Sequence, residues 1–273
     1  MFKYFDVHSH IHGREYDTDR QDVLLRMRER GVGAITVGTH LESSRQAVAL
    51  SESEPDVWSA VGLHPTDTKE NFDYKSFKEL ALNKRVVAIG ECGLDYFRLE
   101  NDEQKPQRQR EEKERQKRIF FEQMNLAVDV DKPLMIHCRP SGKTMDAHED
   151  MLQILLTSSL EQSSKKLRGN IHFFTGTIDI AKRYFELGFT VSFPGVITFA
   201  SEYENLILNC PIDMIMSETD SPYASPVPYR GKRNEPSYVI ETVRKIAAIL
   251  GKSEEEVAFA TVQNASRVFG VFI

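Results

Sequence analysis

Short apolar runs alternate with longer amphipathic stretches along the whole chain. The apolar runs are rich in β-branched residues and are bounded by glycine or proline, which is typical of buried strands in a parallel sheet. There are eight such runs, at residues 4–9, 33–38, 57–63, 85–91, 133–138, 170–175, 189–195 and 212–218. The pattern therefore predicts eight strands, each followed by a helix.

The first amphipathic stretch shows the helical spacing clearly. Within residues 19–31, Val23, Leu24 and Met27 share one helical face, and Gly31 follows them as a residue that commonly ends a helix. A similar stretch over residues 235–251 also ends at a glycine. These stretches predict helices that cover the strands.

The last predicted helix begins with a recognisable cap. Ser253 and Glu256 have the S-x-x-E spacing of a capping box. Eight strand–helix units in 273 residues favour a closed (β/α)8 TIM barrel of the α/β class over an open doubly wound sheet. No change of composition marks a linker, so we predict a single domain over residues 1–273.

Composition narrows the class of protein. Hydrophobic residues make up 40% and charged residues 28% of the chain, which is ordinary for a globular protein. No apolar run approaches the roughly 20 residues of a membrane helix, and the first residues lack the pattern of a secretory signal. Three cysteines without C-x-x-C spacing indicate reduced thiols. We therefore expect a cytoplasmic protein that has no membrane partner. We also expect a monomer, although the sequence itself is silent on the oligomeric state.

The net charge leaves the substrate class open. The formal charge is −6, so the chain lacks the basic balance that would indicate nucleic-acid binding directly. Metal ions and a few local cations can nevertheless supply the positive field that phosphates need.

Residue types that bind metals concentrate where the predicted strands end. The active site of a TIM barrel lies at the C-terminal ends of its strands. Six of the eight histidines fall there, together with acidic residues and an arginine. The residues at these ends are His8, His10, His40, His64, Glu91, His137, Arg139, His172, Glu218 and Asp220.

The first strand carries two histidines in the string "FDVHSH". Because side chains alternate along a strand, His8 and His10 should both face the barrel mouth, while Ser9 faces away. Alone, this string describes a solvated strand equally well. Glu91 ends a buried strand, where a carboxylate needs a metal or an ion pair with an arginine.

The remaining candidates are ambiguous singly and informative together. His137 and His172 each follow apolar residues and could be hydrogen-bonded core histidines, and Asp220 could form a turn. If the chain had no metal site, all of these alternative roles would have to be true at the same time. Mixed nitrogen and oxygen ligands suit divalent ions, and a bridging carboxylate suits two ions about 3.5–4 Å apart that act on a phosphoryl group.

The assembled motifs resemble those of the TatD family of metal-dependent deoxyribonucleases, within the amidohydrolase-like metallohydrolases. The matching strings are "DVHSH", "GLHP", "VVAIGECGLDY", "PLMIHCR", "HFFTG", "ETDSPY" and "RNEP", which run in the family's order from Asp6 to about Gly270. The resemblance implies a (β/α)8 barrel that hydrolyses DNA, often from the 3′ end. It also implies two divalent metal ions, Mg²⁺ or Mn²⁺, with Zn²⁺ as the alternative.

Carried over residue by residue, the resemblance implies a ligand set and catalytic roles. It places one ion on His8, His10 and Asp220, and a second ion on His137 and His172, with Glu91 bridging the two. Glu91 and Asp220 are then the catalytic residues, and Asp220 orients the attacking water and takes its proton. A glutamate at the bridge, instead of a carbamylated lysine, favours this branch over the dihydroorotase-like and urease-like branches.

Other positions are expected to contact the substrate or to support the site. His64 and Arg139 follow strand ends and are expected to bind phosphate. Glu218 would orient a ligand or a water, or else would form a buried ion pair with Arg233. By alternation, Cys92 and Cys138 face away from the mouth, as small core residues.

Two charged segments have open roles. Residues 98–118 are a solvated loop leading into a helix, or a basic lip over the site. The "RGKR" run at residues 230–233 is a solvated turn, or a contact to a nucleic-acid backbone.

The favoured function is a DNA 3′–5′ exonuclease that prefers single strands. Two other classes of function stay open: an amidohydrolase that cleaves amide or ester bonds of small molecules or aminoacyl esters, and an inactive barrel that serves as a binding module. The complete ligand set argues against the inactive barrel.

Overall fold

A computed structural model describes residues 2–68, 71–99, 106–161 and 167–271. Its eight strands are parallel and lie side by side in chain order. They are β1 (Tyr4–Ser9), β2 (Val32–Val37), β3 (Val57–Val61), β4 (Val86–Asp95), β5 (Leu134–Arg139), β6 (Gly169–His172), β7 (Phe189–Phe193) and β8 (Ile215–Ser217).

Helices separate the strands and cover the outside of the sheet. They are α1 (Arg20–Glu29), α2 (Leu41–Ser53), α3 (Tyr74–Ala81), α4 (Pro106–Asp129), α5 (Asp146–Glu161), α6 (Ile178–Glu186), α7 (Glu202–Asn209), α8 (Val239–Leu250) and α9 (Glu254–Phe269). The predicted (β/α)8 TIM barrel is confirmed. In the part of the chain that the structure describes, no helix is both long enough and apolar enough to cross a bilayer.

The barrel closes between β1 and the segment that follows β8. The amide of Asp220 donates to the carbonyl of His8 at 2.9 Å, and the amide of His10 donates to the carbonyl of Ser221 at 2.7 Å. An isolated parallel bridge joins Ser9 to Ser221. The closure brings the first predicted histidines beside the predicted aspartate.

The helices follow the sequence pattern. The apolar face of α1 is buried at Val23, Leu24 and Met27, as predicted. The capping box of α9 is present: the Ser253 hydroxyl accepts from the amide of Glu256, and the Glu256 carboxylate accepts from the amide of Ser253.

Buried apolar residues form two clusters. The larger lies between the strands and the surrounding helices. The smaller includes Phe5, Trp58 and Met216 of the strands, and Val262 and Phe269 of α9 belong to it. Since Phe5 and Trp58 lie in the first halves of their strands, we infer that α9 covers the N-terminal end of the barrel, opposite the end where active sites form.

Strand β4 is longer than predicted and continues past Glu91 to Asp95. Gly93 allows this continuation because its φ is 139° and a Cβ atom there would lie 2.0 Å from the carbonyl oxygen of His137. No other residue type fits such an approach between β4 and β5 without moving the backbone.

Candidate metal centre

The six predicted metal ligands come together at the C-terminal end of the barrel. His8, Glu91, His137 and His172 lie in β1, β4, β5 and β6, whereas His10 and Asp220 directly follow β1 and β8. A cavity of about 760 Å³ opens at this end. Five of the six residues line it, namely His10, Glu91, His137, His172 and Asp220.

Glu91 lies at the centre of the cluster and is only 3% exposed. Its Oε1 atom is 3.0 Å from Nδ1 of His137 and 3.0 Å from Nε2 of His172. Its Oε2 atom is 3.5 Å from Nε2 of His8 and 3.8 Å from Nε2 of His10. The two oxygens of one carboxylate therefore face two different groups of histidines, and among the described residues its partners are histidines and not an arginine.

The histidines also control the charge of Glu91. Burial alone would raise the pKa of its carboxyl, but the hydrogen-bonded imidazoles of His172 and His137 outweigh burial and hold the pKa well below its usual value. Glu91 is thus ionised at neutral pH, as a bridging ligand must be.

Asp220 completes the group around the first histidine pair. Its Oδ1 atom is 3.6 Å from Nε2 of His10 and 3.8 Å from Nε2 of His8. Ligand atoms of these three residues all lie within 4.8 Å of one another. Burial raises the pKa of Asp220, but the neighbouring imidazoles of His10, His8 and His172 lower it overall, so the carboxylate is ionised.

His8 shows that these residues fit a metal ion. Its imidazole is fully buried, yet neither ring nitrogen has a hydrogen-bond partner within the described residues. A buried polar atom in this state is costly, and the carboxylate oxygens at 3.5 and 3.8 Å from Nε2 are too distant to hydrogen-bond it. A divalent cation held between those atoms would satisfy all of them.

Ser9 does not take part in the cluster. Its hydroxyl donates to the carbonyl of Ile35 in β2 at 2.9 Å, while the rings on either side face Glu91. The register of β1 against β2 shifts between Asp6 and Ser9, so the strand is irregular at this point.

His64 lies deeper than its predicted substrate-binding position at the rim. Its Nε2 atom is 3.2 Å from Oε1 of Glu91, and His64, Glu91 and His137 form a second group with ligand atoms within 4.8 Å of one another. Burial lowers the pKa of His64, so this imidazole is neutral near pH 7. Arg139 is exposed at the end of β5 and lines the cavity, as expected for a substrate contact.

Asp95 is a site residue that the sequence analysis missed. Its Oδ2 atom accepts a hydrogen bond from Nε2 of His137 at 3.1 Å, on the side of the ring away from Glu91. Burial raises the pKa of Asp95, but His137 outweighs it and the pKa is lowered. The sequence did contain a signal for Asp95. Residues two apart in a strand point to the same face, so Asp95 lies on the same face of β4 as Glu91 and Gly93.

Glu218 is a buried carboxylate that lies beside His172 and is not exposed to the cavity. Its carboxylate accepts hydrogen bonds from the amide of Phe173, at 2.8 Å, and from the hydroxyl of Ser192. Its Oε1 atom is 3.6 Å from Nδ1 of His172. The alternative ion pair with Arg233 is wrong, because Arg233 forms its ion pair at 2.6 Å with Asp19.

Buried hydrogen bonds with the side chains of Asp6 and Asn234 position the loop that carries Asp220. Asp6 accepts from both the amide and the hydroxyl of Thr219. The side chain of Asn234 donates to the carbonyl of Thr219 at 2.9 Å and to that of Tyr223 at 2.6 Å. The first residue of "DVHSH" and the asparagine of "RNEP" therefore hold this loop and are not ligands.

The described part of the charged segment 98–118 contributes no residue to the metal-ligand cluster, but its first residue, Arg98, lines the cavity. Of residues 98–118, those at 100–105 lie outside the described residues, and α4 begins at Pro106. Lys113 and Lys117 form ion pairs with Asp146 and Asp150, so part of this charge stabilises the packing of α4 against α5. Cys92 and Cys138 are buried free thiols, as predicted, and burial raises their pKa values.

Sequence comparison identifies relatives along nearly the whole chain. Residues 5–270 match the family described as TatD-related DNase. The uncharacterized metal-dependent hydrolase YabD of Bacillus subtilis is 35% identical over 98% of this chain and 99% of its own length. The 3′-5′ ssDNA/RNA exonuclease TatD of Pectobacterium parmentieri is 32% identical over 97% of this chain and 98% of its own.

A solved structure agrees with the sequence relatives. The TatD homologue YJJV from Escherichia coli K12 superposes with a TM-score of 0.85 and 26% identity, covering 99% of both chains. The match in sequence and fold, over a barrel mouth built from histidines and carboxylates, shows that this chain belongs to the TatD-related DNase family of metal-dependent hydrolases.

Proposed function

We propose that this protein is a divalent-metal-dependent deoxyribonuclease that removes nucleotides from single-stranded DNA in the 3′–5′ direction. The observation that carries the proposal is the position of Glu91: one carboxylate oxygen faces His8 and His10, and the other faces His137 and His172, with His64 beside them. Two-ion sites of this kind suit the in-line displacement of phosphodiesters.

The proximity of these side chains supports the following ligand assignment. His8, His10 and Asp220 would hold one ion, His137 and His172 would hold the other, and Glu91 would bridge them. When bound, two Mg²⁺ or Mn²⁺ ions, or Zn²⁺ as the alternative, would supply an activated water and stabilise charge on the phosphoryl oxygens.

The side chains of the chain itself supply proton transfer and binding. Asp220 is ionised and lines the cavity, so it can orient the attacking water and accept its proton. Arg139 carries a positive charge at the cavity edge and would bind a phosphate oxygen. His64 is neutral and touches Glu91, so its contribution to phosphate binding would come from the inner wall of the cavity.

The polarity and strand preference rest on a relative. The Pectobacterium parmentieri protein is named as a 3′-5′ ssDNA/RNA exonuclease, and it matches 97% of this chain. A monomer in the cytoplasm remains our expectation for the working state.

A single-stranded oligonucleotide tests the proposal. With a 5′ label and Mg²⁺ or Mn²⁺, the protein should generate a descending ladder of products, and EDTA should abolish it. Asp220→Asn should lower the rate by about 10²–10⁴-fold because the neutral amide cannot take the proton. The control Asp179→Asn changes an exposed carboxylate on α6 and should leave the ladder intact.

Three outcomes would contradict the proposal: no ladder with either metal, an undiminished ladder from Asp220→Asn, or a mononucleotide released first from the 5′ end. Hydrolysis of small amides or aminoacyl esters without any DNA cleavage would support the amidohydrolase alternative.

A further inference from the structure

Three exposed aromatic side chains follow strands at the cavity end of the barrel, and one of them, Tyr223, lines the cavity. Phe97 is 40% exposed, Phe199 41% and Tyr223 59%. Phe97 follows β4, Phe199 follows β7 and Tyr223 follows β8, so all three lie at the end of the barrel that carries the candidate metal centre. Exposed aromatic residues are costly to keep in water, and at a cavity mouth they indicate a binding surface.

Arginines stack on two of these rings. The guanidinium carbon of Arg139 lies 3.9 Å from the centroid of Phe97, and that of Arg230 lies 3.8 Å from the centroid of Phe199. Within the described residues, neither arginine has a carboxylate at salt-bridge distance, in contrast to Arg233. Each guanidinium therefore covers one face of a partly exposed ring, and each pair presents a positive charge that is available to an anion.

Tyr223 lies closest to the candidate metal centre. Its ring centroid is 6.3 Å from that of His10, and it lines the same cavity as Asp220. Its amide donates to the carbonyl of Asp220 at 2.9 Å, and its carbonyl accepts from Asn234 at 2.6 Å. The backbone is therefore fixed while the ring is exposed.

We infer that Phe97, Phe199 and Tyr223 form a base-stacking surface that binds the unpaired bases of a single-stranded nucleic acid on either side of the hydrolysed bond. This inference rests on the proposed function and names the residues that recognise its substrate. Aromatic rings stack on bases with little regard to sequence, and adjacent arginines bind the backbone phosphates.

The surface explains a preference for single strands physically. In a duplex both faces of most bases are already stacked, so the rings have nothing to bind. Stacking also ignores the 2′-hydroxyl, so this surface should not distinguish DNA from RNA. An apolar protein partner is a poorer occupant, because it would leave Arg139 and Arg230 without an anion.

Abasic nucleotides test the inference directly. We compare kcat/KM for two 5′-labelled single strands, one natural and one with abasic sites at its two 3′-terminal positions. The wild-type protein should prefer the natural strand by about 5- to 150-fold for each base that stacks, which is the usual contribution of base–aromatic stacking. Tyr223→Leu should lose most of this preference, and Tyr223→Phe should keep it.

Two further variants make the test specific. Phe199→Leu removes a second ring of the surface and should also reduce the preference. Phe259→Leu changes a side chain that is 64% exposed on α9, at the opposite end of the barrel, and should keep the wild-type preference. Circular dichroism of each variant confirms that it is folded.

The outcomes separate the inference from the proposed function. If the wild-type protein cleaves both strands equally, or if Tyr223→Leu and Phe199→Leu both keep the preference, the stacking surface is wrong and the nuclease proposal stands. If neither strand is cleaved, the nuclease proposal fails, and fluorescence anisotropy of the same intact strands decides the inference. Equal binding of natural and abasic strands would then overturn it.

Discussion

Most histidines of the candidate metal centre have a polar neighbour on the side away from Glu91. Nδ1 of His10 donates to the carbonyl of Val37 at 2.7 Å, and Nε2 of His137 donates to Asp95 at 3.1 Å. Such neighbours fix the orientation and the tautomer of a ligating imidazole and increase its basicity. They decide how tightly the ring binds an ion.

Asp95→Asn should weaken metal binding without removing a ligand. The amide is a poorer acceptor than the carboxylate, so the His137 ring loses part of its support. We expect the affinity of the weaker-bound Mn²⁺ to fall by about 10- to 100-fold, measured by isothermal titration calorimetry. Asp179→Asn is the matched control, and an unchanged affinity in Asp95→Asn would show that His137 is held by packing alone.

His148 is a buried histidine that the candidate centre does not use. Its Nδ1 atom is 3.2 Å from the hydroxyl of Tyr184, and burial lowers its pKa from 6.5 to about 4. The unfolded chain therefore binds a proton at higher pH than the folded chain does. The stability that His148 contributes is present above pH 6.5 and is lost as the pH falls towards about 4.

In the variant His148→Leu, the unfolding free energy should fall less steeply as the pH is lowered than it does in the wild-type protein. From the two pKa values, the wild-type protein should lose about 2 kcal/mol of unfolding free energy through this group between roughly pH 7.5 and pH 5. Urea unfolding at both pH values measures the loss, and the difference between the two profiles isolates His148. Parallel profiles would mean that the pKa of His148 is the same in the folded and unfolded chains.

At the scale of elements, α4 is attached to the barrel by two buried glutamines. The Gln123 side chain accepts from the amide of Leu63 at 2.8 Å and donates to its carbonyl at 2.9 Å. The Gln116 side chain likewise accepts from the amide of Asp95 at 2.8 Å and donates to its carbonyl at 3.2 Å. Among the described residues, the backbone at the ends of β3 and β4 has no neighbouring strand to hydrogen-bond on this side, and the two side-chain amides bond it instead. These strand ends lie beside the candidate centre, because Asp95 contacts His137.

Gln123→Leu should destabilise the protein by about 2–6 kcal/mol. The substitution preserves bulk but leaves a buried amide and a buried carbonyl without partners, at about 1–3 kcal/mol each. The midpoint of urea denaturation measures the change. Gln153→Leu, on the exposed face of α5, is the control and should shift the midpoint little. An equal shift in both would refute the role of Gln123.

The elements were predictable from the sequence because each depends on local periodicity. The burial of Val23, Leu24 and Met27 and the Ser253 capping box follow from spacing alone. The extension of β4 to Asp95 was missed because Gly93 interrupts the apolar pattern for a reason that lies in β5, not in its own neighbours.

The site was predictable as a set of residues but not as a set of contacts. The barrel rule places strand ends together, so the candidate ligands could be named. The barrel rule cannot predict that Arg233 forms its ion pair with Asp19, because this contact depends on how α1 packs against the loop after β8. It therefore cannot predict either that Glu218 accepts a hydrogen bond from the amide of Phe173.

At the scale of the whole molecule, the first and last elements touch. The hydroxyl of Tyr4 in β1 donates to Glu254 of α9. Asn264 of α9 donates to the carbonyl of Ile215 in β8 at 2.8 Å. The last helix thus joins both strands at which the barrel closes, which supports our prediction that residues 1–273 are one domain.

A single cooperative unit should unfold in one transition. Trp58 is the only tryptophan of the chain and lies in the apolar cluster that α9 covers, so its fluorescence reports on the barrel interior. We expect urea curves from Trp58 fluorescence and from far-ultraviolet circular dichroism to superimpose. Trp58→Phe identifies the signal, and two separated midpoints would indicate independent units.

The contact between Tyr4 and Glu254 also constrains biosynthesis. These residues are 250 positions apart, so β1 leaves the ribosome long before the helix that covers its end of the barrel. Until α9 has been translated, the apolar interior of the nascent barrel remains open to water, and its completion must wait for the most distant contacts in the chain. The nascent protein is therefore expected to depend on chaperones that shield apolar surface for almost the whole of its synthesis.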